Sequence, residues 1–102
     1  VRSRGLGDVY KRQLPYLRRM ASLDPQPEHY AVLAETLLSL GNLSEAGETI
    51  KTGMEKYPDN ADLYFCRAKL HRDLYELDRA REDAKKALRL GIPRDKIKEL
   101  KL

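Results

Sequence analysis

The 102-residue chain has one cysteine, one phenylalanine and two histidines, and these scarcities remove several classes of protein from consideration. With Cys66 alone there is no internal disulfide and no thiolate cluster to hold a structural zinc, and one thiol leaves the redox compartment open. No stretch approaches the ~18 continuous apolar residues of a membrane helix, and no charged-then-apolar leader of signal-peptide type is visible. Long aromatic or β-branched runs are also missing. What is abundant is Ala, Leu, Glu, Lys and Arg. At 41% hydrophobic and 35% charged, the composition is that of a globular domain that favours helices over strands. A chain of this length buries only about 60–65% of its unfolded surface, so marginal stability is expected.

The first thirteen residues, Val1 to Gln13, have no apolar periodicity and a composition unlike that of the rest of the chain. Eleven consecutive residues, Ser3 to Gln13, resemble the translation of a transposase-type sequencing adapter ending in its mosaic end. This reading makes residues 1–13 an artefactual, unstructured leader and residues 14–102 the folded domain, with the natural N-terminus lying further upstream. The charge reading changes with it. Arg2, Arg4, Lys11 and Arg12 against Asp8 supply +3 of the chain's +4, and from Leu14 onward 16 basic residues face 15 acidic ones. The basic overall balance is then no argument for nucleic acid or an anionic membrane.

The remainder is self-similar at an offset of 34 residues. Tyr30 recurs as Tyr64, Ala34 as Ala68, Leu40 as Leu74, Leu43 as Leu77, Ala46 as Ala80 and Glu48 as Glu82. Within each unit the pattern predicts helix, short break, helix. The first pair spans about Glu28 to Leu40 and Asn42 to Tyr57, with Tyr30, Leu33, Leu37 and Leu40 on one face. Gly41 ends the first helix, and Asn42 with Glu45 forms a candidate reciprocal N-terminal cap for the second. The second pair spans about Ala61 to Leu74 and Leu77 to Leu90, followed by Gly91-Ile92-Pro93 and a short capping helix carrying Ile97 and Leu100. Leu14 to Leu23 mimics the second helix of a preceding unit.

This pattern resembles the tetratricopeptide repeat. In the first unit Tyr30, Leu33, Ala34, Leu37, Ala46, Ile50 and Pro58 fall at the family's signature places, with Gly53 at a small-residue packing position. The second keeps Tyr64, Ala68, Ala80 and Ala87 but has Arg67, His71, Ala84 and Ile92 where Leu, an aromatic, a large apolar residue and Pro are usual, as in a terminal copy. The resemblance implies an all-α solenoid of antiparallel hairpins: about two units, a preceding half-unit helix and a C-terminal cap. It also implies a protein–protein interaction module, without catalysis or cofactor, that holds a peptide or helix of a partner protein in a concave groove. That groove would be lined by Glu28, Ala31, Glu35 and Leu38 and by Asp62, Phe65, Lys69 and Arg72, with Phe65 as the candidate anchor or, equally, as a residue that merely packs against the first unit. Ala31, Glu35 and Cys66 occupy places where the family's carboxylate-clamp members carry Lys and Asn, which argues against capture of a chaperone tail.

Catalytic and metal chemistry have little support. Cys66 and His71 stand five residues apart, about 140° around a helix, His29 is remote, and His71 is more simply a core substitute for an aromatic. Tyr30, Tyr57, Tyr64 and Tyr75 are expected in the core rather than on a base-stacking surface. One charge asymmetry remains: Arg79 to Leu102 holds nine basic and four acidic residues, whereas Leu14 to Asp78 holds seven and eleven. The rival functional readings are a non-catalytic tail of a larger enzyme or envelope protein, and an RNA- or acidic-partner-binding basic end. The simpler reading is a solvated face with Asp83 pairing Arg79 and Glu82 pairing Lys86. Weak self-association through Leu14 to Leu23 is expected of so short a stack.

Overall fold

Local signals in the sequence set the helix ends. The computed structural model describes residues 2–102, with side chains from Gly7 onward. Its helices are α1 (Arg2–Leu23), α2 (Pro27–Ser39), α3 (Leu43–Lys56), α4 (Ala61–Asp73), α5 (Leu77–Arg89) and α6 (Arg94–Glu99), with no strand among the described residues, so the fold class is all-α. Pro27 opens α2 with its pre-set φ, and the residue before it, Gln26, is extended as proline requires (φ −95°, ψ 154°). At α4 the cap is Asn60, whose Oδ1 accepts from the Leu63 N–H at 3.1 Å. The reciprocal cap expected of Asn42 and Glu45 does not form. Asn42, at φ −82° and ψ 69°, makes no side-chain cap bond, and the reciprocal half is absent too, because the Asn42 N–H goes to Leu37 O and the Glu45 carboxylate is taken by the Arg18 guanidinium at 2.7 and 2.8 Å.

Three helices end in one way. Gly41 N–H bonds Leu38 O and Asn42 N–H bonds Leu37 O; Tyr75 and Glu76 repeat this on Arg72 and His71, and Gly91 and Ile92 repeat it on Leu88 and Ala87. These paired bonds satisfy carbonyls orphaned at the helix end, and they need a left-handed residue just past it. The residue at that place has φ +79° at Gly41, +62° at Tyr75 and +120° at Gly91. Tyr75 thus occupies a position that favours glycine, and it is 88% exposed rather than in the core as expected.

α1 reaches back to Arg2, through residues expected to be without structure; of that expected leader, Val1 lies outside the described residues. A docked helix extends at little cost once nucleated, which accounts for the extra turns. Among residues 7–13 no side chain is buried, and the first buried one is Leu14. Pro15, one residue later, removes a backbone donor inside the helix.

α2 packs on α3 and α4 on α5, each pair joined by a three-residue connection; α4 also packs on α2 and α3, and α1 lies against α2. Leu14, Ala21, Tyr30, Leu33, Leu37, Ile50, Leu63, Cys66 and Leu70 belong to one buried cluster. Phe65, Ala68, Ala84, Ala87, Ile92 and Leu100 form a second. α4 supplies both: Leu63, Cys66 and Leu70 belong to the first, Phe65 and Ala68 to the second. Its apolar residues therefore run around the helix instead of along one stripe, whereas α5 buries only Ala80, Asp83, Ala84 and Ala87, a single stripe at three- and four-residue steps.

Candidate functional site

The eight residues expected to line a groove lie on α2 and α4, which pack against each other. They divide by chemistry. Glu28, Glu35 and Asp62 are exposed, Lys69 and Arg72 are half-buried, and Ala31, Leu38 and Phe65 are buried. Phe65, 5% exposed, is not an available anchor. It belongs to the second cluster with Leu100, beyond the end of α6, and the Lys69 ammonium lies 4.6 Å from its ring centroid. The neighbours it has in that cluster come from α4 itself and the C-terminal half, not from the first unit against which the packing alternative set it.

The cations on this face are engaged within the fold. Lys69 Nζ reaches Glu35 Oε1 at 3.6 Å, tying α4 to α2. Arg72 donates from Nε to Asp73 Oδ1 at 3.1 Å and from a terminal nitrogen to the Leu100 carbonyl at 3.4 Å. The carboxylates of Glu28 and Asp62 therefore stand out as the outward charges of the two helices' first turns, where negative charge also suits the helix dipole.

Behind this face lies a polar cluster that spacing alone did not reveal. Asp83 on α5 is buried, and its carboxylate accepts two bonds from Arg67 on α4, at 2.8 and 3.0 Å, while His71 Nδ1 lies 2.7 Å from Oδ2. The hydrogen bonds to Asp83 push the Arg67 guanidinium pKa up from its ordinary value, against the opposing effect of burial. The expected pairing of Asp83 with Arg79 is therefore wrong: a bidentate, partly desolvated bond outweighs an exposed pair one turn apart, and Arg79 pairs with Glu76 at 3.5 Å. Lys86 lies 5.8 Å from the Tyr64 ring centroid and makes no ion pair with Glu82 among the described residues. The three residues that depart from the repeat pattern on α4 and α5, Arg67, His71 and Ala84, are thus accommodated by one hydrogen-bonded trio with Asp83 and a small side chain.

Cys66 is fully buried and its Sγ lies 3.7 Å from the Ala31 carbonyl. Burial pushes its thiol up to about 12, which keeps it protonated and unreactive at neutral pH. Among the described residues no three His, Cys, Asp or Glu side chains gather as a metal site would require, and no helix is long and apolar enough to cross a membrane. Comparison with protein-family models, with curated proteins and with solved structures finds no match.

Proposed function

We propose that the chain is a tetratricopeptide-type pair of helical hairpins that binds a segment of another polypeptide across α2 and α4 and catalyses nothing. The supports for the repeat reading are geometric. α4 begins and ends 34 residues after α2, and α5 begins 34 after α3. Both hairpin turns use the same paired helix-end bonds. Gly53 on α3 packs where a Cβ would meet Tyr30 and Leu63 at 3.1 Å, and Ala87, 34 residues on, is likewise small and buried on α5. α4 lies against both helices of the preceding hairpin, as a stacked unit does.

The observation that carries the functional reading is the surface made by the two equivalent helices: adjacent, tied by Glu35–Lys69, and presenting Glu28, Glu35 and Asp62 to solvent over buried Ala31 and Leu38. With Phe65 buried, Val32 is the one large apolar side chain that α2 exposes, set between Glu28 and Glu35, so recognition rests mainly on charge and hydrogen bonding and favours a segment bearing Lys or Arg. Selection from a random peptide library tests this. Enriched sequences should be basic, and the Glu28→Gln/Asp62→Asn variant should weaken their binding about tenfold at low salt. Enrichment of nothing, or binding indifferent to that variant, refutes the assignment of this face.

A further inference from the structure

A second surface, on the opposite end of the hairpin pair in sequence, has the reverse charge. α5 and α6 enclose an open groove of about 380 Å³. Leu88 and Ile97 are among the apolar residues of its floor, Arg81, Lys85, Lys98 and Lys101 line it, and no Asp or Glu side chain does. Arg81 pairs with the exposed Asp78 at 3.4 Å, while Lys85, Lys98 and Lys101 make no ion pair among the described residues. Asp83 of α5 adds no negative charge here, because it is turned inward to Arg67 and His71.

We propose that the α5–α6 groove is a docking site for an acidic amphipathic helix of a partner protein, which lays apolar side chains on Leu88 and Ile97 and carboxylates against Lys85, Lys98 and Lys101. Charge complementarity selects this occupant. An apolar floor between cations matches a segment whose apolar residues recur at three- and four-residue steps with Asp or Glu between them. RNA fits poorly, because no aromatic side chain lines the groove to stack a base. The α1 end of a second copy fits poorly as well, since Lys11, Arg12, Arg18 and Arg19 outnumber Asp8 along its described side chains. This site stands apart from α2 and α4 and does not rest on the reading given to them.

The test is fluorescence anisotropy of the full chain with a labelled synthetic peptide of about four helical turns, Leu at helical spacing and Glu elsewhere. It runs beside a scrambled peptide of equal composition, a twin with Lys replacing Glu, and a single-stranded RNA oligomer. The amphipathic acidic peptide should bind at least about tenfold tighter than either peptide control, and the Lys85→Glu/Lys98→Glu variant, whose exposed side chains leave the fold intact by circular dichroism, should lose about tenfold or more. Glu28→Gln/Asp62→Asn should leave this binding unchanged. Equal binding of the scrambled peptide would reduce the groove to a bare charge patch. RNA binding lost in the lysine variant, or self-association in sedimentation that the same variant abolishes, would assign the surface to another occupant, and each of these results overturns the proposal.

Discussion

Asp83 provides the sharpest test of how this fold is held together. Its side chain is 8% exposed and sits between Arg67, 37% exposed, and His71, 17% exposed. Replacing Asp83 with Ala removes two charge-assisted bonds and strands both partners, yet Arg67 is open enough to turn toward water, so the loss is about 2–3 kcal/mol and not the larger cost of a fully buried charge. Replacing Arg67 with Leu instead leaves the carboxylate, the more buried of the two, without its main cation, at about 2–4 kcal/mol. Removing the whole cluster at once, as Arg67→Leu, His71→Leu and Asp83→Ala, leaves no orphaned polar side chain at the three positions. That triple variant should fall within about 1 kcal/mol of the parent. Urea unfolding followed by circular dichroism reads all three, and the single losses correspond to Tm drops of about 10–20 °C for a domain this size. A triple variant as unstable as the single ones, or an Asp83→Ala cost below about 0.5 kcal/mol, would show that the cluster is not a coupled unit and refute the reasoning.

Tyr75→Gly should stabilise the chain by about 1 kcal/mol in the same urea assay, since Tyr75 holds φ +62° while its side chain is 88% exposed and has little packing to lose. Cys66 should resist alkylation in the native state: with its thiol pushed up to about 12, only opening of the α2–α4 contact exposes thiolate, so labelling should accelerate with urea in step with unfolding. Because that pKa is raised in the fold, its contribution to stability is complete below the unfolded value and fades as pH climbs from about 8.5 toward 12. Glu45 works in the opposite direction: its hydrogen bonds with Arg18 lower its pKa, so the α1–α3 link is present above the ordinary carboxylate range and is lost as pH falls through the folded value. With the two side chains 46% and 40% exposed the link contributes under about 1 kcal/mol, and Glu45→Gln should remove part of the acid-side slope of stability; an unchanged slope would place that slope elsewhere.

The sequence is most legible where a feature depends on one helix and its ends. The 34-residue offset, the apolar spacing from Tyr30 and Gly41 place α2 and α4 to within a residue or two, because local chemistry decides where a helix stops. It is least legible where the outcome depends on what crosses from one helix to another. Helical spacing places Asp83 one turn from Arg79, but the register of α5 on α4 puts Arg67 and His71 within reach, and that register is a tertiary fact. Phe65 is similar. Its place on α4 was readable, but its burial depends on Ile92 and Leu100, residues that only the chain's turn after α5 brings back. Tyr75 was readable and missed: it stands 34 residues after Gly41, so the left-handed position was already marked.

The inward turn of Asp83 also changes the charge that the molecule shows. Arg79 to Leu102 carries a formal +5, but one of its four acids is buried and neutralised by a cation from α4, so what that segment presents outward is nearer +6. The opposite sign gathers on Glu28, Glu35 and Asp62 of α2 and α4. Interactions made in these two settings respond differently to salt. The Arg67–Asp83 bond is short and half-desolvated, and added ions do not reach between its partners. The outward charges sit in water, where a Debye length of about 8 Å at physiological ionic strength screens most of what they feel at a distance. Raising salt from about 0.05 to 0.5 M should therefore leave the urea midpoint almost unmoved while weakening peptide binding at both faces by about tenfold or more. A midpoint that falls with salt as steeply as binding does would mean that surface charge, and not the buried trio, holds the second hairpin together.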